Sequence, residues 1–212
     1  MVILFFAVFI YSIVVHEVAH AYAANLFGDS TAKNEGRITF NPISHIVLWW
    51  SILLPVMMYM STGMLFGGAK PVPINPLRFY NRRLGMSLVS LAGPLSNLTL
   101  AFSAAALLNV LIFINFAPYG FVELLFKIFQ INIVLAVFNL IPIPPLDGSK
   151  LLVYFMPPEY EYTMYRMEFI GFIILIAVMM TGAFSKIINF VLAPAYQLVI
   201  PYQVIGILMG MK

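Results

Sequence analysis

The sequence predicts an all-α polytopic membrane protein of about six transmembrane helices, with short extended or re-entrant segments beside a polar site. Three observations predict it. Of 212 residues, 62% are hydrophobic and only 9% are charged, whereas soluble domains carry about 25% charged residues. The charges fall between long apolar runs. Residues 38–69, 84–122, 128–146, 169–185 and 187–211 contain no Asp, Glu, Lys or Arg, and residues 1–28 contain only Glu17. These lengths are of the order of the roughly 20 apolar residues that a spanning helix needs.

Taken in order, the runs place membrane segments near 2–26, 46–66, 85–114, 121–141, 167–183 and 187–209. Pro55 predicts a kink in the second, the fifth is short, and Pro194 and Pro201 interrupt the sixth. Residues 29–45, DSTAKNEGRITFNPISH, read as a polar turn and a brief extended piece. Residues 67–83, GGAKPVPINPLRFYNRR, hold closely spaced prolines, which disfavour helix and favour extended backbone. Backbone of that kind at membrane depth has to be buried or line a cavity. The connections leave no room for a separate soluble domain. The expectation is one membrane-embedded domain, 1–212, with a catalytic core of about 1–155 and accessory helices over about 160–212.

Composition excludes several classes. There is no cysteine, so disulfides and thiolate-metal sites are ruled out. No basic arm for nucleic acid is present. The N-terminus lacks the charged region of a cleavable signal peptide, and its apolar run continues into a polar motif. If the six segments alternate, one side holds Lys70, Arg78, Arg82, Arg83, Lys150, Arg166 and Lys212, and the other Lys33, Arg37, Lys127 and Lys186. Seven basic residues against four favour the first side as cytoplasmic.

The polar motif lies inside the first apolar run, in SIVVHEVAHAYAANLFGD, residues 12–29. His16 and His20 are four residues apart, which on a helix puts both imidazoles on one face, about 6 Å apart at Cβ. So placed, they can share one zinc ion, with Glu17 near enough to take a proton from water there. This is the His-Glu-x-x-His logic of metalloproteases. An ionisable residue in lipid costs about 2.5–3.5 kcal/mol even on the lenient insertion scale. Three within five positions require a compensating partner, which a metal supplies; a satisfied polar cluster or proton relay is the other reading.

A catalytic zinc site uses three protein ligands and one open position. The remaining candidates are His45, Asp29, Glu35, Glu123, Asp147, Glu159, Glu161 and Glu168. Asp147 differs from the rest. It sits in FNLIPIPPLDGSKLL, where three prolines break an apolar helix and another apolar turn follows. Position alone leaves two readings: a metal ligand held beside broken backbone, or an N-cap for a helix starting near Ser149.

With these pieces in place the chain resembles the site-2 proteases, polytopic zinc metalloproteases that cut membrane-spanning segments of other proteins. The resemblance is carried by HEVAHAYAANLFGD (16–29), GRITFNP (36–42), FGGAKPVPINP (66–76), SLAGPLSNL (90–98) and NLIPIPPLDG (139–148). It is similar to the compact bacterial and archaeal members without PDZ or CBS domains. The resemblance implies His16, His20 and Asp147 as ligands of one zinc ion per chain, Glu17 as general base, and Asn97 as a catalytic group facing the active site. It implies single-span or other membrane proteins as substrates, a regulatory membrane partner as an open question, and a multi-pass location in a prokaryotic plasma membrane with the active site opening toward the cytoplasm. One departure is visible. After NPISH, relatives usually read Ile-Asp-Pro, whereas here Ile46, Val47 and Leu48 lead to Trp49 and Trp50, which suit a membrane interface.

Three residues carry plainer readings beside the functional one. His45 is left out of the metal set as a loop histidine bonded to local backbone. Gly93-Pro94 reads as a helix kink with close packing. Asn97 also reads as a hydrogen bond to a neighbouring membrane helix. The extended pieces 37–41 and 69–75 are candidates to hold an unwound substrate by strand addition. A metal or proton transporter is the competing class, but it would spread polar groups over several helices, often with internal repeats. A non-catalytic membrane adaptor is a third, against which the intact His-Glu-x-x-His stands.

Overall fold

The computed structural model describes residues 2–62, 67–157, 159, 166–202 and 204. Among these residues the secondary structure is helical and contains no strand. The helices are α1 (Val2–Leu26), α2 (Thr31–Asn34), α3 (Leu54–Thr62), α4 (Arg82–Phe113), α5 (Tyr119–Asn139), α6 (Asp147–Val153), α7 (Glu168–Met180) and α8 (Ala183–Val199).

Three of them, α1, α4 and α5, are long and apolar enough to cross a membrane, with 25, 32 and 21 residues. The other three expected spans are shorter as helices. The second begins as a π-helical turn over Leu48–Leu53 and continues as the nine-residue α3. The wide turn comes directly before Pro55, which has no N–H to offer a regular helix. The fifth and sixth are α7 and α8, of 13 and 17 residues. They meet at Gly182, whose φ of 71° is left-handed backbone that favours glycine. α8 passes through Pro194 and ends one residue before Ile200, with Pro201 beyond. The last residues of the expected sixth span lie outside the described ones.

α4 is the central helix. Asn81 caps its start by accepting the Leu84 N–H at 3.1 Å. One of its faces carries Ala101, Ala104, Ala105 and Leu108, packed against Val122, Leu125, Phe129 and Ile133 of α5 and Ile188 and Leu192 of α8. Small residues let backbones approach closely, the usual basis of helix association where lipid removes the hydrophobic drive. α1 lies on the same pair through Val8, Phe9 and Ile13 against Ile131. The outer surface is apolar too, with Ile3, Phe113 and Phe190 more than four-fifths exposed, as suits contact with lipid chains.

Two non-helical stretches position the site. After α5 the chain meets Pro142, Pro144 and Pro145, which cannot continue a helix, and it restarts at Asp147. Gly148 allows this close return, since a Cβ there would run into the carbonyl oxygen of Leu140. Arg83 at the start of α4 ties down the far end of α6 by donating to the carbonyls of Tyr154, at 3.1 Å, and Met156.

The second stretch, 67–75, is extended but joins no ladder. Protein groups pin it along its length. The Lys70 N–H donates to the His45 carbonyl at 2.7 Å, Arg37 donates to the Lys70 carbonyl at 2.7 Å, and the Asn75 N–H donates to the Asp29 carboxylate at 2.6 Å. Asp29 is fully buried and also accepts from Thr31, so this acid anchors backbone.

Candidate active site

The site forms where two polar stripes meet. Ser12, His16 and His20 recur at every fourth residue of α1, and Val89, Gly93 and Asn97 do so on α4, so each set lies along one helix face. The contacts run antiparallel: Ser12 meets Asn97, and His20 meets Val89. Asp147, the first residue of α6, completes the group from the broken segment. His16, His20 and Asp147 are all more than nine-tenths buried.

The hydrogen bonds decide which ring nitrogens carry hydrogen. His20 Nδ1 lies 2.7 Å from the Val89 carbonyl, which only accepts, so Nδ1 donates and Nε2 presents a lone pair. His16 Nδ1 lies 2.7 Å from Asn97 Oδ1. That oxygen is identified because the Asn97 amide nitrogen faces the Ser12 carbonyl at 3.2 Å. His16 therefore also donates from Nδ1 and presents Nε2.

The two Nε2 atoms stand 3.0 Å apart, and Asp147 Oδ2 lies 3.1 Å from one and 3.2 Å from the other. Three electron-rich atoms thus converge without a hydrogen between them unless one is added. Such a grouping can hold a metal ion; a proton added to one Nε2 is the other way to relieve it. Ligands about 2.0–2.2 Å from a tetrahedral zinc stand about 3.3–3.6 Å apart, a few tenths of an ångström wider than the 3.0–3.2 Å found. The donor set, two imidazole nitrogens and one carboxylate oxygen, also suits zinc.

α4 leaves space for it. A Cβ on Gly93 would overlap Nε2 of His20 and stand 2.6 Å from Nε2 of His16. In the sequence Gly93-Pro94 reads as a helix kink with close packing; here the missing side chain of Gly93 is what keeps both Nε2 atoms accessible. Pro94 follows, removing the helix hydrogen bond to the Ser90 carbonyl.

Glu17 sits one residue along from His16 and outside the three-residue cluster. Its Oε2 accepts the backbone N–H of Val72 at 2.9 Å, so the extended stretch 67–75 holds the carboxylate in place. Both flank a cavity of about 450 Å³, whose wall also includes Trp50, Lys150 and Phe172. Trp50 is turned inward, with its ring centroid 5.8 Å from that of Phe172, while Trp49 is exposed. Of the two tryptophans, Trp49 is exposed as an interface marker would be, and Trp50 is half-buried.

The other candidates lie apart. His45 is fully buried, with Nε2 2.9 Å from the Thr39 carbonyl. Glu35 and Glu159 are exposed, Glu123 is buried on α5, and Glu161 lies outside the described residues. Glu168 lines the cavity without joining the cluster. Leu146 is the N-cap of α6 and Asp147 is the first residue inside the helix, so Asp147 does not take the N-cap position.

Asn97 has both amide hydrogens engaged, by the Ser12 carbonyl and by Asn132 Oδ1 at 2.7 Å. Asn132 and Ser12 drew no notice in the sequence. Their available signal was polarity alone: an amide inside the apolar run 128–146, and a hydroxyl one helical turn before His16.

The family model described as Peptidase family M50 matches residues 108–182, which include Asp147. The Bacillus subtilis protein named "Putative zinc metalloprotease YwhC" is 40% identical over 189 residues, 84% of this chain and 81% of the relative. The Mycolicibacterium smegmatis protein named "Putative zinc metalloprotease Rip2" is 31% identical over 192 residues, 87% of this chain and 69% of the relative. No solved structure matches the chain.

The glycine yields a direct test. Gly93→Ala should weaken metal binding by on the order of tenfold or more, comparable to or above the loss of an outer-shell partner. Alanine favours helix over glycine by about 1 kcal/mol, so a weakened helix would not explain the loss. Zinc content of the purified variant, read beside its circular dichroism, checks this; wild-type zinc content would show that the ion does not sit against Gly93.

Proposed function

The chain belongs to peptidase family M50, the site-2 proteases, and from that premise we propose that it is an intramembrane zinc metalloendopeptidase cutting peptide bonds within or near transmembrane segments of other membrane proteins. The observation that carries the reading is the convergence of two Nε2 lone pairs and a carboxylate oxygen, beside a second carboxylate, in one cavity among apolar helices. We assign His16, His20 and Asp147 as the ligands of one zinc ion per chain. Bound there, zinc supplies Lewis-acid activation of water and of the scissile carbonyl.

The protein's own groups do the rest. Glu17 accepts the proton of the attacking water and returns a proton to the leaving amine. The Val72 N–H holds Oε2, which leaves Oε1 to take that proton. Asn97, with both its N–H bonds directed to protein acceptors, is assigned to orienting His16 through Nδ1, in preference to stabilising an oxyanion.

A substrate helix hides its carbonyls and must be unwound to react. The stretch 69–75 offers it a limited edge. Pro71 and Pro73 carry no N–H, and those of Lys70, Val72 and Asn75 already donate to protein acceptors. An incoming strand would meet mainly carbonyl acceptors here, so its main-chain bonds are partial. The transporter reading is disfavoured, because the ionisable groups sit in one cluster instead of along a path across the membrane.

M50 proteases are membrane proteins, and we place this one in a prokaryotic plasma membrane, acting in regulated intramembrane proteolysis, with its cavity toward the cytoplasm. The excess of basic residues on that side supports the orientation.

Two experiments test the reading. Glu17→Gln should lower cleavage of a single-span substrate by orders of magnitude while zinc stays near the wild-type content. Asp147→Ala should lower both, because only two ligands remain. Loss of zinc in Glu17→Gln, or full zinc in Asp147→Ala, contradicts the assignment. For orientation, cysteines introduced at Arg82 and Arg83 should resist impermeant thiol reagents added outside intact cells; labelling from outside reverses it.

A further inference from the structure

His16 has a second tier of support that reaches a third helix. Asn97 Oδ1 accepts from His16, and its amide nitrogen donates to the Ser12 carbonyl and to Asn132 Oδ1. Asn132 in turn donates to the Ser12 hydroxyl at 2.9 Å and to the Ile128 carbonyl at 2.8 Å. Asn97 and Asn132 are fully buried, and Ser12 nearly so. The network thus joins α1, α4 and α5 at the depth of the site.

Its direction matters more than its existence. A primary amide can turn over with little change of shape, exchanging its oxygen for its nitrogen. Turned over, Asn97 would offer N–H to His16 Nδ1. Nδ1 would then have to accept, and the ring hydrogen would move to Nε2, pointing at the ligand position. Two acceptors oppose this: the Ser12 carbonyl and Asn132 Oδ1 would each face the Asn97 oxygen. Asn132 cannot yield by turning over itself, because the Ile128 carbonyl requires its nitrogen on that side.

We propose that Asn132 is a positioning residue that fixes the orientation of the Asn97 amide and so keeps the hydrogen of His16 on Nδ1 and the Nε2 lone pair free for metal. The proposal rests on the reading of the cluster as a zinc site. Asn132 touches neither zinc nor substrate; it acts through Asn97.

This differs from the ordinary use of a membrane amide as a link between helices. Asn109 supplies that comparison within the same protein, bonding from α4 to the Val199 carbonyl at the end of α8 at 2.9 Å, away from the cluster. A merely structural Asn132 would behave as Asn109 does.

The test is zinc affinity of the detergent-purified full chain, measured by competition with a chromophoric chelator and accompanied by thermal melting. Asn132→Leu should weaken zinc binding by about tenfold, the lower end of the effect of outer-shell partners. Asn109→Leu should leave it unchanged. Ser12→Ala, which removes only the hydroxyl that holds Asn132, should give a smaller loss in the same direction, and it carries the test if Asn132→Leu does not fold. The decisive arm uses an Asn97→Asp background. A carboxylate has no N–H end and accepts from His16 Nδ1 either way round, so adding Asn132→Leu there should cost no further affinity. An equal loss on both backgrounds, or wild-type affinity in both Asn132→Leu and Ser12→Ala, overturns the proposal. Absence of zinc binding in the wild type overturns the metal reading itself, and is told apart from failure of the proposal alone, in which the wild type binds and the variants match it.

Discussion

Three acceptor atoms pressed together in a low-dielectric interior repel one another unless a cation lies between them. His16 Nε2, His20 Nε2 and Asp147 Oδ2 stand 3.0–3.2 Å apart, with both ring hydrogens held on the far nitrogens. Much of the surrounding architecture serves this contact. α1 and α4 present complementary stripes, Gly93 leaves the space open, the prolines after α5 return the chain to the site, and Gly148 permits the close turn. The energetic risk is large, since isolated charge in lipid costs several kcal/mol. The groups are accordingly bonded on their outer sides to Val89, Asn97 and, through it, Asn132.

Glu17, the proposed general base, is arranged by different means. Glu17 shares α1 with the histidines but leans toward the extended stretch 67–75, whose Val72 N–H it accepts. That stretch is held by Asp29, Arg37 and the His45 carbonyl. Residues that looked like spare ligands or stray charges in the sequence thus act on the base by anchoring the backbone beside it. Helices position the proposed ligands, and a pinned irregular segment positions the proposed base.

Much of this was legible beforehand, for physical reasons. Four-residue spacing on a helix puts His16 and His20 on one face whatever the tertiary structure. The proline break marked Asp147 because helix cannot continue there. Apolar runs identified α1, α4 and α5, but among the described residues the helices elsewhere are shorter than the runs. Hydropathy reports the surroundings of a segment and not its winding, so the π turn before Pro55 and the 13-residue length of α7 were hidden. Gly93, Asn97 and Asn132 were harder still. Their roles depend on which neighbour each faces and in which direction its hydrogens point, information that exists only once three helices are packed. Trp50 shows the same limit: its composition suits an interface, and its packing against Phe172 puts it in the cavity wall.

The metal-site reading turns on which atoms surround one bound ion. X-ray absorption at the zinc edge, on the purified full chain loaded with one equivalent of zinc, reads them directly. Two imidazole nitrogens and oxygen in the remaining positions are expected, at about 2.0–2.2 Å, with one imidazole contribution lost in His16→Ala and unchanged in His45→Ala. A shell without imidazole, or one that changes with His45 and not with His16, would contradict it.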